Sequence, residues 1–129
     1  ITDKWFVSAG YSYMDGETSS GGTPREIPKN TFSIWNSYKV TDKFGLGLGI
    51  IYQDDSFINN DDDADSNPET LPSYVRVDAA AYYDISDDCR VQLNIENLFD
   101  ETYYPNAHGS HQVTVGAPIN ARLGFTCRF

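Results

Sequence analysis

Apolar and polar residues alternate along most of this chain, and the alternation is cleanest at its end. From Ile119 to Phe129 the apolar set is Ile119, Ala121, Leu123, Phe125, Cys127 and Phe129. Asn120, Arg122, Gly124, Thr126 and Arg128 fall between them. A period of two means a β-strand with unlike faces. The same test finds five more strands. The first runs over 4–14, with Trp5, Val7, Ala9, Tyr11 and Tyr13 on one face. The second covers 29–39 and alternates least well, because Trp35 faces away from Phe32, Ile34 and Tyr38. The third, 44–53, sets Phe44, Leu46, Leu48, Ile50 and Tyr52 against Gly45, Gly47, Gly49 and Gln53. The fourth, 74–84, sets Val75, Val77, Ala79, Ala81 and Tyr83 against Arg76, Asp78, Tyr82 and Asp84. The fifth, 90–97, sets Val91, Leu93 and Ile95 against Arg90, Gln92, Asn94 and Glu96.

The connections alternate as well. A pattern of β-branched residue, hydroxyl residue, Asp and charged residue recurs at Ile1-Thr2-Asp3-Lys4, Val40-Thr41-Asp42-Lys43 and Ile85-Ser86-Asp87-Asp88. Such residues hydrogen-bond their own backbone in tight turns. The other connections, 15–28, 54–73 and 98–116, are long and polar. Short turns at one end and long loops at the other are the pattern of an outer-membrane β-barrel. In that frame the C-terminus and short turns lie on the periplasmic side. An aromatic-ended strand is a liability on an open edge, and barrel closure removes the edge. Six strands are too few to close, since such barrels begin at about eight. All 129 residues therefore read as the C-terminal part of a larger antiparallel barrel. The opening at Ile1, without an initiator Met, agrees with a piece of something longer. A soluble secreted antiparallel β-sheet binding module explains the alternation equally well, but explains the loop asymmetry poorly.

Composition changes this picture little. The mean hydropathy of −0.48 looks soluble, but inward and outward residues cancel in any barrel average. No apolar run approaches the roughly 18 residues of a membrane helix. The net charge of −10, from 19 acidic and 9 basic residues, disfavours a nucleic-acid partner. Aromatics make up 14%, nine of them Tyr, which fits the aromatic girdles of outer-membrane barrels.

The segment Asn97-Leu98-Phe99-Asp100-Glu101-Thr102-Tyr103-Tyr104 resembles the NLFD-x-x-YY motif near the end of TonB-dependent outer-membrane receptors. Gly116-Ala117-Pro118-Ile119-Asn120-Ala121-Arg122 is similar to the stretch that opens their last strand, although Ile119 stands where the family often carries Arg. Arg128-Phe129 matches their usual terminus, and Leu71-Pro72-Ser73-Tyr74-Val75-Arg76-Val77-Asp78 resembles the entry to their third-last strand. The likeness covers most of 28–129 and leans toward catecholate-type ferric-siderophore receptors. It implies a barrel of about 22 strands with an N-terminal plug. It implies a bacterial outer-membrane transporter that imports a ferric siderophore with energy from the TonB complex. The TonB contact would lie in an N-terminal region outside these residues. Outer-membrane lipid surrounds such a barrel. The barrel-assembly machinery reads its last strand, here ending in Phe125 and Phe129. A passive porin would not need the motif at 97–104.

Candidate chemistry is sparse. Asn97, Asp100 and Thr102 suit short hydrogen bonds that fix a strand exit. Leu98, Phe99, Tyr103 and Tyr104 are apolar bodies suited to an interface. His108 and His111 could contact an iron chelate at the mouth, or be solvated loop residues. Tyr104 and Arg122 join them as rim candidates. The inward charges Arg76, Asp78, Arg90, Glu96, Arg122 and Arg128 suit pairing with one another or with a plug. Asp61, Asp63 and Asp65 imitate the start of a calcium loop, but Ser66 replaces its Gly and Pro72 its Glu, so no metal site is expected. If Val91 faces Phe125, Cys89 faces Cys127, and a cross-strand disulfide becomes feasible in an oxidising compartment. Nothing resembles a catalytic centre or a cofactor site, so the chain reads as a non-enzyme.

Overall fold

The computed structural model describes residues 2–60 and 69–128. The Asp61–Asp65 run and Phe129 lie outside the described residues. Among the described residues ten strands occur in chain order: β1 (Trp5–Tyr13), β2 (Asn30–Lys39), β3 (Phe44–Gln53), β4 (Ser56–Phe57), β5 (Thr70–Leu71), β6 (Tyr74–Asp84), β7 (Cys89–Glu96), β8 (Asn106–Ala107), β9 (Val113–Thr114) and β10 (Asn120–Cys127). The six long strands form one sheet in the order β1-β2-β3-β6-β7-β10. Every neighbouring pair is antiparallel. The two remaining pairs are short hairpins inside the long loops. Two residues are too few to show a period, so the sequence reading takes these segments as plain loop.

The register makes the alternation continuous across the sheet. Trp5 faces Tyr38, Tyr38 faces Leu46, Leu46 faces Ala81, Ala81 faces Leu93, and Leu93 faces Leu123. One apolar row thus crosses all six strands. Above it lies Tyr11-Phe32-Tyr52-Val75, and below it Phe44-Tyr83-Val91-Phe125. The eight residue steps from Phe44 to Tyr52 rise about 27 Å along β3. At a barrel tilt of about 40° this becomes about 20 Å of height, close to a membrane barrel's apolar band. Among the described residues no second sheet covers the face: Leu48 is 45% exposed, Leu93 37% and Leu123 72%. A soluble sandwich would bury these residues.

The opposite face is polar and explains the anomaly of β2. Trp35 lies flat over Gly47 and Gly49, and a Cβ built at Gly49 would sit 2.6 Å from the indole. Tyr82 covers Gly45 in the same way. The glycines of the third strand are thus the floor on which neighbouring rings rest, an aromatic cover for strand glycines. Tyr82 also donates to the Leu46 carbonyl at 3.2 Å. Arg90 stands 5.3 Å over its ring and makes a bidentate pair with Asp84 at 2.6 and 3.1 Å.

The recurring turn motif works as the sequence suggests in two of its three copies. Thr2 Oγ1 accepts from Trp5 N at 3.1 Å, and Thr41 Oγ1 accepts from Phe44 N at 2.9 Å. The third copy closes through backbone alone, with Ile85 N on the Cys89 carbonyl at 2.9 Å. The fifth strand begins and ends one residue earlier than expected, because Asn97 takes a left-handed φ of 54° that terminates it.

The uncovered apolar face should meet lipid. Leu123→Arg in the membrane-embedded protein is expected to cost about 2–4 kcal/mol, against under about 1 kcal/mol for Thr126→Arg on the polar face. Urea titration of the heat-modifiable folded form measures both. Equal losses would show that the Leu123 face does not touch hydrocarbon.

Candidate functional site

The long-loop end of the sheet carries an organised rim. Asn97 is its centre and is only 1% exposed. A left-handed φ is tolerable for Asn because its short side chain bonds locally. Its Nδ2 donates to the carbonyls of Glu101 at 2.8 Å and Ala117 at 3.1 Å. Its Oδ1 accepts from Glu101 N at 2.9 Å. Its own backbone N–H donates to Asp78 Oδ1 on β6 at 2.9 Å. Asp100, also left-handed at φ 52°, accepts from Ile119 N at 2.8 Å. One side chain therefore ties both limbs of the 97–119 loop together, and Asp100 fixes the residue that enters β10. Thr102 stands exposed outside this set.

Tyr103 anchors the same loop to the polar wall. It is 5% exposed, its ring rests on Gly116, and its hydroxyl accepts from Arg76 Nη1 at 3.0 Å. Its ring centroid lies 4.7 Å from that of Tyr74. Arg76 also pairs with Asp78 at 2.8 Å and reaches Glu96 at 3.8 Å. Asp78 thus takes one bond from the guanidinium and one from the Asn97 backbone. The sequence places Arg76 and Asp78 among the inward charges and in the segment resembling a strand entry, apart from the 97–104 motif. Their i, i+2 spacing on one face of β6 is the signal that could have paired them with each other.

The loops buttress one another. Ile58 and Leu71 of the 54–73 loop pack with Ala107 of the 97–119 loop, and Tyr104 leans on that cluster. Gln53 Nε2 donates to the Pro105 carbonyl at 3.4 Å. Glu26 N donates to the Phe57 carbonyl at 2.8 Å, and Arg25 N to Asn60 Oδ1 at 3.0 Å, so the 14–29 loop joins the same unit. Beneath it, Asn30 accepts from Tyr11 Oη at 2.7 Å and donates to Asp54 Oδ2 at 2.7 Å. Tyr52 Oη donates to Asp54 Oδ1 at 2.6 Å. The Tyr52 hydroxyl, and next the Asn30 amide, hold the Asp54 carboxyl below the usual aspartate range.

The sequence-level candidates do not converge on one point. His108 and His111 are both exposed at the tip of the β8–β9 hairpin, where His108 N donates to the Gln112 carbonyl at 2.7 Å. Tyr104 is half-buried in the loop cluster. Arg122 lies lower on the polar face, in a shallow recess of about 250 Å³ lined with Trp35, Asp78, Asn94, Glu96 and Asn120. Among the described residues no group of three His, Cys, Asp or Glu side chains is placed to hold a metal. Leu98 is half-buried and Phe99 is 73% exposed. At the opposite end Cys89 and Cys127 face each other in register, Cα atoms 4.2 Å apart, and are joined as a disulfide.

Comparison with known proteins agrees with this architecture. The family described as TonB dependent receptor-like, beta-barrel matches residues 2–98. A probable siderophore receptor of that class from Acinetobacter baumannii, PiuA, is 37% identical over all of this chain and 19% of its own length. The crystal structure of PiuA superposes with a TM-score of 0.82 at 34% identity, over 98% of this chain and 20% of that one. The closed form of the ferric-catecholate import receptor Fiu from Escherichia coli K12 superposes at 0.84 with 26% identity, over 100% and 19%. The chain spans about a fifth of the length of the relatives it matches.

Two outcomes follow from the rim. Asn97→Ala is expected to cost about 2–4 kcal/mol, since it removes three part-buried hydrogen bonds to Glu101 and Ala117; Asn97→Gly, which accepts the left-handed φ, should cost about 1 kcal/mol less. Limited proteolysis between 98 and 118 reads the effect, and an unchanged cleavage rate in Asn97→Ala would refute the clamp. The Asp54 network has a depressed folded-state pKa, so its contribution is full above the ordinary aspartate value of about 3.9 and is lost as pH falls through the lowered folded value. Hydrogen exchange at 26–31 and 54–60 should accelerate in that acid window. Asp54→Asn should flatten the dependence, and an equally steep profile in that variant would assign it to another group.

Proposed function

The chain belongs to the TonB-dependent receptor β-barrel family, and on that premise we propose that residues 1–129 are the C-terminal barrel wall of an outer-membrane importer of ferric siderophores. The supporting observation is the antiparallel six-strand wall with one bare apolar face, short turns at one end and interlocked long loops at the other. The PiuA and Fiu likenesses favour iron-chelate transport, and Fiu inclines the reading toward catecholate chelates. TonB supplies the energy through parts of the protein outside this wall. The barrel-assembly machinery inserts it, reading a C-terminal signal made of Phe125 and the chain's last residue, Phe129, and membrane lipid covers the apolar rows. The protein is a transporter and not an enzyme, and the iron chelate is its cargo.

Within this wall, His108 and His111 are the proposed chelate contacts at the mouth, with Tyr104 holding their hairpin from below and Arg122 as a deeper cation. An imidazole pair at an exposed tip can donate to an anionic chelate. A guanidinium on a polar recess can do the same further in.

The test is radioiron uptake by cells lacking their own ferric-siderophore receptors and expressing the intact protein, with catecholate and hydroxamate chelates. TonB-dependent uptake of the catecholate is expected. His108→Ala/His111→Ala should raise its half-saturation concentration about tenfold, as loss of roughly 1.4 kcal/mol of contact does, without changing the maximal rate. Uptake independent of TonB would mean a passive pore. A soluble protein without uptake would mean a secreted binding module.

A further inference from the structure

The sequence pattern alone does not fix the pairing of β10 with β7. A slip by two residues against β7 keeps every side chain on its proper face. Leu123 would meet Val91 or Ile95 in place of Leu93 and remain apolar. On the polar face, Arg122 meets Asn94, Gly124 meets Gln92 and Thr126 meets Arg90, and none of these is an ion pair. The ladder therefore carries little register information of its own. Both ends of the hairpin supply it. At the outer end, Asn97 holds the Ala117 carbonyl and Asp100 holds Ile119 N. That clamp requires the whole 97–119 loop to be folded. At the turn end, Cys89 is bonded to Cys127, and Arg128 N continues the ladder onto the Asp88 carbonyl at 3.0 Å. The bond closes a sequence separation of 38 residues that contains all of the long loop.

We propose that this disulfide is an assembly clasp, a redox modification site closed by a periplasmic dithiol oxidase before the β7–β10 hairpin enters the membrane. It rests on the outer-membrane reading above. The two thiols lose two protons and two electrons. The oxidase disulfide accepts them and becomes a dithiol, and the exchange passes through a mixed disulfide. The Cys89–Cys127 pair sits on the apolar face at the turn end, where both residues are only half-exposed. Lipid restricts access there after insertion, so the exchange belongs to the free hairpin. Once closed, the bond excludes two-residue slips without any help from the outer loop, and the last strand reaches the assembly machinery in one register.

Pulse-labelling of the intact protein, in cells with and without the periplasmic oxidase, tests this through thiol alkylation and appearance of the heat-modifiable form. The Cys89→Ser/Cys127→Ser variant is the internal reference for general effects of oxidase loss. In oxidase-positive cells the native protein should resist alkylation and assemble about threefold faster than the double variant, the order expected for removing slipped and open states of a long loop. In oxidase-negative cells the two should assemble at the same rate, and added cystine should restore only the native protein. Alkylatable thiols in the mature native protein would overturn the proposal. So would equal assembly rates in oxidase-positive cells. A clasped, fully inserted protein that imports no iron would count against the transport reading alone.

Discussion

Hydrocarbon offers the peptide backbone no hydrogen-bond partner, so a chain crossing it must satisfy every N–H and C=O within its own ladder. The long strands of this protein obey that constraint by pairing only with sequence neighbours, always antiparallel, across a six-strand sheet. Everything else depends on the register that results. It aligns Trp5, Tyr38, Leu46, Ala81, Leu93 and Leu123 into one row. It also brings a half-cystine on β7 opposite one at the end of β10. Lipid solvates the apolar row, so the wall needs no conventional core. Among the described residues the buried apolar side chains are chiefly in the loops, at Ile58, Leu71, Tyr103 and Ala107, with Ala80 alone in a long strand.

The polar face solves a different problem. A lumen wall has to stay stiff without a second layer to pack against. Trp35 and Tyr82 lie flat on strand glycines, which gives each ring a backbone surface to bury against. Arg90 bridges Asp84 and the Tyr82 ring, and Arg76 bridges Asp78 and Tyr103. These charges sit on partners of their own face. For Arg76 and Asp78, the less exposed pair, this offsets desolvation locally.

Strand periodicity made the six long strands, their faces and the loop asymmetry legible in the residues alone, because a half-lipid, half-water wall imposes period two on most positions. The possible facing of Cys89 and Cys127 was legible once Val91 was set against Phe125. Three things were not. Trp35 breaks the apolar alternation because its partner is a backbone across the sheet, which no single strand reveals. The β4–β5 and β8–β9 hairpins are two-residue pairings selected by loop–loop contact. The motif at 97–104 read as a strand-end cap, and Asn97 and Asp100 are one. Its reach to Asp78 and, through Tyr103, to Arg76 depended on the neighbouring strand. The histidines illustrate the converse, since spacing brought His108 and His111 to notice but could not say that the tip they share would stand clear of Arg122.

The wall and the mouth of this sheet are built differently. The structure separates the two at Asn97. Below it, backbone ladders and like-on-like rows tolerate exchange of one apolar residue for another. Above it, the 14–29, 54–73 and 97–119 loops hold one another through Glu26–Phe57, Arg25–Asn60 and the Ile58–Leu71–Ala107 cluster. Loops joined in this way form one interlocked layer, and the clamp ties that layer to β6 and to the entry of β10. The left-handed Asn97 thus marks the boundary. It accepts a rarely populated backbone conformation, and in return one residue joins the loop above to the ladder below.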